Sequence, residues 1–298
     1  MIKLKQLKKN GSKKYLNKKI FLILPILIFN AIFFFGSFVT GIFSSFGNNF
    51  YNNGWFVDKT FILLDQEIIR NIFFTLRISA FSTFFSLTIA LFLLFIIFNH
   101  PIAKKYFKKI LYLPLLTPYL LIAFFMMYAF STSGLFNRIL FSLGIVDNLS
   151  DGLILINDLN GKGIILAYIW KTTPFILLVL LNSLDHFDFR LLTIAESLGS
   201  SKLQSFYNII WPHINSSFFY SGIIIFTFIF SAVEIPLILG PTRPQMIGHW
   251  AFQNFQNGEI IYRSQSLAIG TVILCLNIII TLFIGYKLLG QVTYEKNH

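Results

Sequence analysis

Six stretches of the chain, at about 20–43, 71–98, 111–130, 163–183, 217–240 and 266–290, are apolar almost throughout. A bilayer's hydrocarbon layer, about 30 Å thick, needs roughly 20 apolar residues per helical crossing. No water reaches the backbone there, so a crossing segment must be a helix or a strand of a closed barrel. Barrel strands alternate apolar and polar residues over about ten positions; these runs are continuous. Composition agrees: of 298 residues 55% are hydrophobic, 12% are charged and 37 are Phe. A soluble domain of that make-up would expose large apolar patches. The expected fold is therefore an all-α membrane protein of about six transmembrane helices. One domain spans 20–290, between a basic segment at 1–19 and a tail at 291–298.

The formal net charge is +12, and its placement sets an orientation. The first 19 residues carry eight Lys. If this end is cytoplasmic, the cytoplasmic segments are 1–19, 99–110, 184–216 and the residues after 286, and they hold 16 of the 24 basic residues. That bias follows the positive-inside pattern and predicts cytoplasmic N- and C-termini. The basic residues lie between spans, with no folded domain that could grip nucleic acid. The lipid bilayer is the expected environment.

Several chemistries have no foothold. No G-x-x-x-x-G-K-[ST] phosphate loop is present, and no His/Cys cluster has metal-ligand spacing. No cofactor or metal is expected in the chain, and no enzymatic activity. The single Cys, Cys275, reads as a small buried residue of the last span.

Pro114 and Pro118 interrupt the third apolar run, Pro174 the fourth and Pro236 the fifth. Two residues before Pro236 lies Glu234, an ionisable group at membrane depth. Such groups are costly and usually functional. Pro236 is expected to free a carbonyl near Ala232, so that Glu234 and Pro236 form a polar notch on a solute pathway. Pairing of Glu234 with Lys171, or a place near the outer interface, is the competing reading.

The segment between the fourth and fifth runs is "AESLGSSKLQSFYNIIWP", residues 195–212. A short helix from near Phe189 is expected to stop at Gly199. Ser200 or Ser201 then caps a second helix. Leu203, Phe206 and Ile210 share its apolar face, and Pro212 ends it. The product is a helix–Gly–helix elbow within 184–216. Physical chemistry leaves two readings open: an elbow lying on lipid, or a docking element for a cytoplasmic partner.

This segment resembles the Glu-Ala-Ala loop of ABC importer permeases. That loop reads Glu-Ala-Ala, three residues, Gly, nine residues, Ile, any residue, Leu, Pro. Ala195, Gly199, Ile209 and Pro212 match at the required spacing, while Thr193, Ile194 and Trp211 depart from it. The likeness extends over roughly 70–290 and looks closest to the spermidine/putrescine and ferric-iron type. The resemblance implies a non-catalytic permease subunit of the bacterial inner membrane. Its implied partners are a cytoplasmic ABC ATPase dimer, a second permease subunit and an extracytoplasmic solute-binding protein, with ATP and Mg on the ATPase. It further implies that Thr193, Ala195, Glu196, Gly199, Ser200, Lys202, Phe206, Ile209 and Pro212 couple to the ATPase, Phe206 by inserting into it. A polyamine or other small cation is the implied solute, with ferric iron, phosphonate or sugar as alternatives. A stand-alone secondary transporter or channel is the competing function.

Overall fold

The computed structural model describes residues 24–36, 38–39, 43, 65–99, 110–185, 187–257 and 260–295. The basic segment at 1–19, the lysines at 104–109, residues 44–64 and the end of the tail lie outside the described residues. Regular structure among the described residues is entirely helical. In chain order it comprises α1 (Leu24–Gly36), α2 (Gln66–Asn99), α3 (110–116), α4 (Tyr119–Phe130), α5 (Leu135–Ser142), α6 (Lys162–Ser183), α7 (Arg190–Ser197), α8 (Lys202–Ser205), α9 (Trp211–Ser231), α10 (Glu234–Leu239), α11 (Ile247–Gln256) and α12 (Ile260–Glu295).

Five stretches are long and apolar enough to cross a membrane: Gln66–Phe98, Tyr119–Ser142, Lys162–Ser183, Lys202–Ser231 and Gln265–Phe283. α1 is a shorter apolar helix. The span in α6 is 61% buried, against 17–39% for the others, which puts α6 at the centre. It packs on α2, α4, α9 and α10. Its most buried side chains include Ile164, Ala167, Tyr168, Ile176, Leu177 and Leu180. The buried face of α2 sets small polar residues, Asn71, Thr75, Ser79, Ser82, Thr83 and Ser86, among the apolar side chains of Phe74, Ile78, Leu94 and Ile97. Small residues let membrane helices approach closely, and hydrogen bonds then join them. One such bond runs between the hydroxyls of Ser86 and Thr172, at 2.8 Å.

Two spans are broken, each at a proline-bearing stretch. In the third, α3 ends at 116 and α4 starts only after Pro118. Pro118 has no N–H for the Pro114 carbonyl four residues back. That carbonyl instead accepts a 2.6 Å bond from the Lys171 ammonium, which reaches across from α6. The same ammonium donates to the carbonyls of Leu115 at 3.0 Å and Thr117 at 2.6 Å.

The fifth run, expected to be helical over 217–240, divides differently. Its main helix begins earlier, at Trp211, and stops at Ser231. Pro236 lies in the first turn of α10, where helices need no backbone donor. The discontinuity falls near Ala232, where the freed carbonyl was expected, and it is a full break between two helices, at Ala232 and Val233. After α10 the chain lies along the start of α2 in three rungs. The Arg243 guanidinium stands 3.6 Å from the Glu67 carboxylate. The Gln245 N–H donates to Asn71 Oδ1 at 2.9 Å, and the Ile247 N–H to Thr75 Oγ1 at 2.8 Å. Glu67, Asn71 and Thr75 recur every four residues and so share one face of α2. They cap the start of α11. Gly248 brings α11 onto the break: a Cβ there would lie 2.9 Å from the Ser231 carbonyl oxygen.

One further expectation changes. Cys275 is exposed on α12 rather than buried. In α5 the apolar residues Leu135, Ile139 and Leu143 are exposed, while Asn137 is wholly buried. Its amide donates to the carbonyls of Ser131 and Thr132 and accepts from the Leu153 N–H, tying the loop together.

Thr75→Val keeps the side-chain shape and removes the acceptor for Ile247. An unsatisfied buried N–H costs about 1–3 kcal/mol. The thermal midpoint of the purified protein should fall by several degrees. Thr88→Val, whose hydroxyl bonds only within its own helix turn to Phe84, should leave it unchanged.

Candidate functional site

The elbow forms in three local steps. Asp188 starts it by accepting from the Arg190 N–H at 3.1 Å and gripping the Arg190 guanidinium at 2.9–3.2 Å. Those side-chain bonds first, and the backbone bond second, hold the Asp188 carboxyl below its ordinary range. α7 then runs to Ser197. Gly199 follows at φ +86°, a left-handed conformation that Gly adopts without steric cost. The Ser200 N–H returns to the Ala195 carbonyl and the Gly199 N–H to the Glu196 carbonyl, each at 3.0 Å. This pair of bonds is the Schellman closure of a helix. Ser201 opens α8 with a reciprocal capping box. Its hydroxyl accepts from the Gln204 N–H, while the Gln204 side chain accepts from the Ser201 N–H.

Beyond α8 the helix continues rather than ending. Residues Phe206–Ile210 form a π-helical turn that runs straight into α9. The Trp211 N–H donates to the Phe206 carbonyl, five residues back. Pro212 sits at the start of α9 and does not terminate a helix, contrary to expectation. It lacks a donor, and its ring crowds the carbonyl four residues back. A wider turn relieves both problems.

The π turn also redirects the apolar face. A spacing of four returns to the same side of so wide a turn, and a spacing of three does not. Phe206, Ile210 and Ile214 are buried in a row, while Leu203 is 67% exposed. The Phe206 ring meets Phe95 and Phe98 of α2 edge-on, with centroids 5.2 and 6.2 Å apart. It therefore points into its own protein and not out toward a partner, a correction to its expected role. Thr193, Glu196, Gly199, Lys202 and Pro212 are exposed, Ala195 and Ser200 are half-exposed, and Ile209 is half-buried. The outward crest consists of residues the motif did not point to: Leu198, 83% exposed, Leu203, and Tyr207, 69% exposed. Large apolar residues flanking a cap-defined turn were the available signal.

The elbow is fixed to the helix bundle at its base. The Ser183 hydroxyl at the end of α6 donates to Ser217 at 2.6 Å. His213 Nε2 lies 3.1 Å from the Ser183 carbonyl oxygen, and the His213 ring meets Phe187. The base of the elbow is thereby joined to both α6 and α9.

The second expected site lies at the break. Glu234 is exposed in the first turn of α10, where an acid suits the positive end of a helix. It does not pair with Lys171, whose three donors are turned on the carbonyls of Pro114, Leu115 and Thr117. The Tyr119 ring packs on Phe228 at 5.0 Å and faces the Lys171 ammonium at 4.8 Å. Tyr168 is fully buried, and its hydroxyl has no hydrogen-bond partner among the described residues. α10, which bears Glu234 and Pro236, packs on α4 and α6, which bear Tyr119 and Tyr168. Among the described residues no group of His, Cys, Asp and Glu could hold a metal ion.

A family model described as binding-protein-dependent transport system inner membrane component matches residues 98–290. No curated protein matches the chain. Among solved structures, a bacterial ABC transporter involved in the import of the acidic polysaccharide alginate contains a chain with TM-score 0.76 and 20% identity. The match covers 95% of this chain and 98% of that one. A bacterial alginate ABC transporter in complex with an alginate pentasaccharide-bound periplasmic protein gives TM-score 0.76 and 20% identity, over 93% and 95% of the two chains.

Gly199→Ala should open the elbow locally, since a left-handed non-Gly residue costs about 1–2 kcal/mol. No neighbouring atom lies near enough to add a clash. Limited proteolysis between α7 and α8 should quicken roughly tenfold, and Gly199→Asn should recover most of the protection.

Proposed function

The chain belongs to the family of binding-protein-dependent transport system inner membrane components, and from that premise we propose that its elbow, Thr193 to Pro212, is where a separate ATPase drives it. Members of this family are non-catalytic membrane subunits of ABC importers, working with an ATPase, a second permease and a solute-binding protein. The observation that carries the coupling role is the elbow itself. Its caps build a rigid turn whose polar groups are satisfied internally. It presents Leu198, Leu203 and Tyr207 outward while Phe206 and Ile210 anchor it to α2. An elbow that only rested on lipid would have no need of a joint to α6 through Ser183, Ser217 and His213. The elbow and both termini face the cytoplasm in this reading, as the basic residues between spans favour. ATP and Mg belong to the ATPase.

Thr193, Ala195, Glu196, Gly199, Ser200, Lys202, Ile209 and Pro212 shape or line the docking face. Phe206 acts from behind, by fixing its angle. The solute is a small cation such as a polyamine. Glu234 supports this: a carboxylate at a helix break, on a helix packed against those of Tyr119 and Tyr168, offers charge to an ammonium group whose other partner can be a ring face. The similarity to an alginate importer favours a second solute class, an acidic polysaccharide. That similarity is one of fold, and Glu234 opposes an anion.

Two experiments test these roles. Wild-type protein purified in mild detergent should bring an ATPase subunit with it, and the pair Leu198→Asp and Leu203→Asp should lose it while keeping its thermal midpoint. Retention of the ATPase at the wild-type ratio would contradict the docking face. In the assembled complex, Glu234→Gln should raise at least tenfold the spermidine concentration that stimulates ATP hydrolysis, with basal hydrolysis unchanged. An unchanged dependence, or stimulation by anionic oligosaccharide alone, would contradict the cationic solute.

A further inference from the structure

The break in the third span exposes backbone acceptors that nothing in a bilayer can satisfy. α3 stops at 116, so its last carbonyls have no helical partner. Pro118 removes one further donor, the one the Pro114 carbonyl would have used. Three of these oxygens, from Pro114, Leu115 and Thr117, converge to within 2.6–3.0 Å of one nitrogen. That nitrogen is Lys171 Nζ. An ammonium carries three donors and no acceptor, so three convergent carbonyls use all its hydrogens. The Tyr119 ring stands 4.8 Å from the same nitrogen, as a cation–π partner. Lys171 as a whole is only 5% exposed.

We propose that the carbonyls of Pro114, Leu115 and Thr117, with the ring of Tyr119, form a receptor for a primary ammonium group, which the protein fills with its own Lys171. The oxygens are set by backbone geometry: α3 and the proline fix where they point. The lysine supplies only a tethered occupant. It is a positioning residue. By holding the break shut it places Tyr119 against Phe228. A free primary ammonium of matching size fits the same cage when the tether is removed. The inference rests on the geometry of the break and on no assignment of solute or partner.

Lys171→Ala removes three carbons and the ammonium nitrogen, which is the size of n-propylammonium. Purified Lys171→Ala protein should melt about 5–10 °C below wild type, in line with several unsatisfied buried acceptors in a protein of this size. Adding n-propylammonium should recover at least half of that loss in a saturable way. Tetramethylammonium, with the same charge and no N–H donor, should recover none, and wild type should respond to neither. Equal responses to both cations, no response to either, or an equal response of the wild type would overturn the proposal. If Lys171→Ala does not survive extraction, its yield with n-propylammonium present throughout is the readout. A yield restored by n-propylammonium and not by tetramethylammonium supports the receptor, and a yield restored by neither overturns it.

Discussion

A bilayer offers no partner to a bare backbone carbonyl or N–H, and the architecture of this chain is a set of answers to that constraint. Where the helices are continuous the problem does not arise. Where they break, side chains from other helices meet several of the freed groups. The carbonyls of Pro114, Leu115 and Thr117 receive the Lys171 ammonium. The N–H groups of Gln245 and Ile247 are received by Asn71 and Thr75. These bonds are worth more than their number suggests, because each alternative is an unpaired polar group in a medium without water. They also fix α6 and α2 as the two helices against which the broken segments are measured.

The two ends of the molecule solve different problems with the same helices. At one end, Glu67, Asn71 and Thr75 pin the segment that leads into α11 and close the gap left by the end of α9. At the other, α9 runs without a stop into the elbow through a π turn. The helix runs without interruption from Lys202 to Ser231 and so links Leu203 and Tyr207 of the elbow's outward crest to the break that bears Glu234. Movement imposed on the crest has a continuous helical route to that break, and a second route through Ser183 into α6. In a transport subunit without catalytic groups of its own, that continuity is what a driving partner requires.

Local signals were legible in the sequence and tertiary ones were not. Gly199 and the capping serine could be read directly, because a left-handed cap and an N-cap depend on a few neighbouring residues. Phe206 could not: its spacing from Leu203 suits an α-helix, and the π turn that redirects it is a response to Pro212 and to the packing of α2. Pro118 announced a break but not its remedy, since Lys171 lies more than fifty residues away. Pro236 announced a disturbance near Ala232 but not that the chain breaks there into two separate helices. Leu198 and Tyr207 were passed over because they occupy no motif position, although exposure makes them the crest. The family resemblance identified the elbow from spacing alone; which of its residues face outward needed the fold.

The most direct test of the account is the accessibility of one position. A chain carrying Leu198→Cys, with Cys275→Ala to remove the native thiol, is treated with a bulky water-soluble maleimide in detergent, first alone and then with its ATPase subunit bound. The account predicts rapid labelling of the isolated chain and protection of at least tenfold in the complex. Equal labelling in both states would show that the crest of the elbow does not meet the ATPase, and would contradict the coupling role on which the functional reading stands.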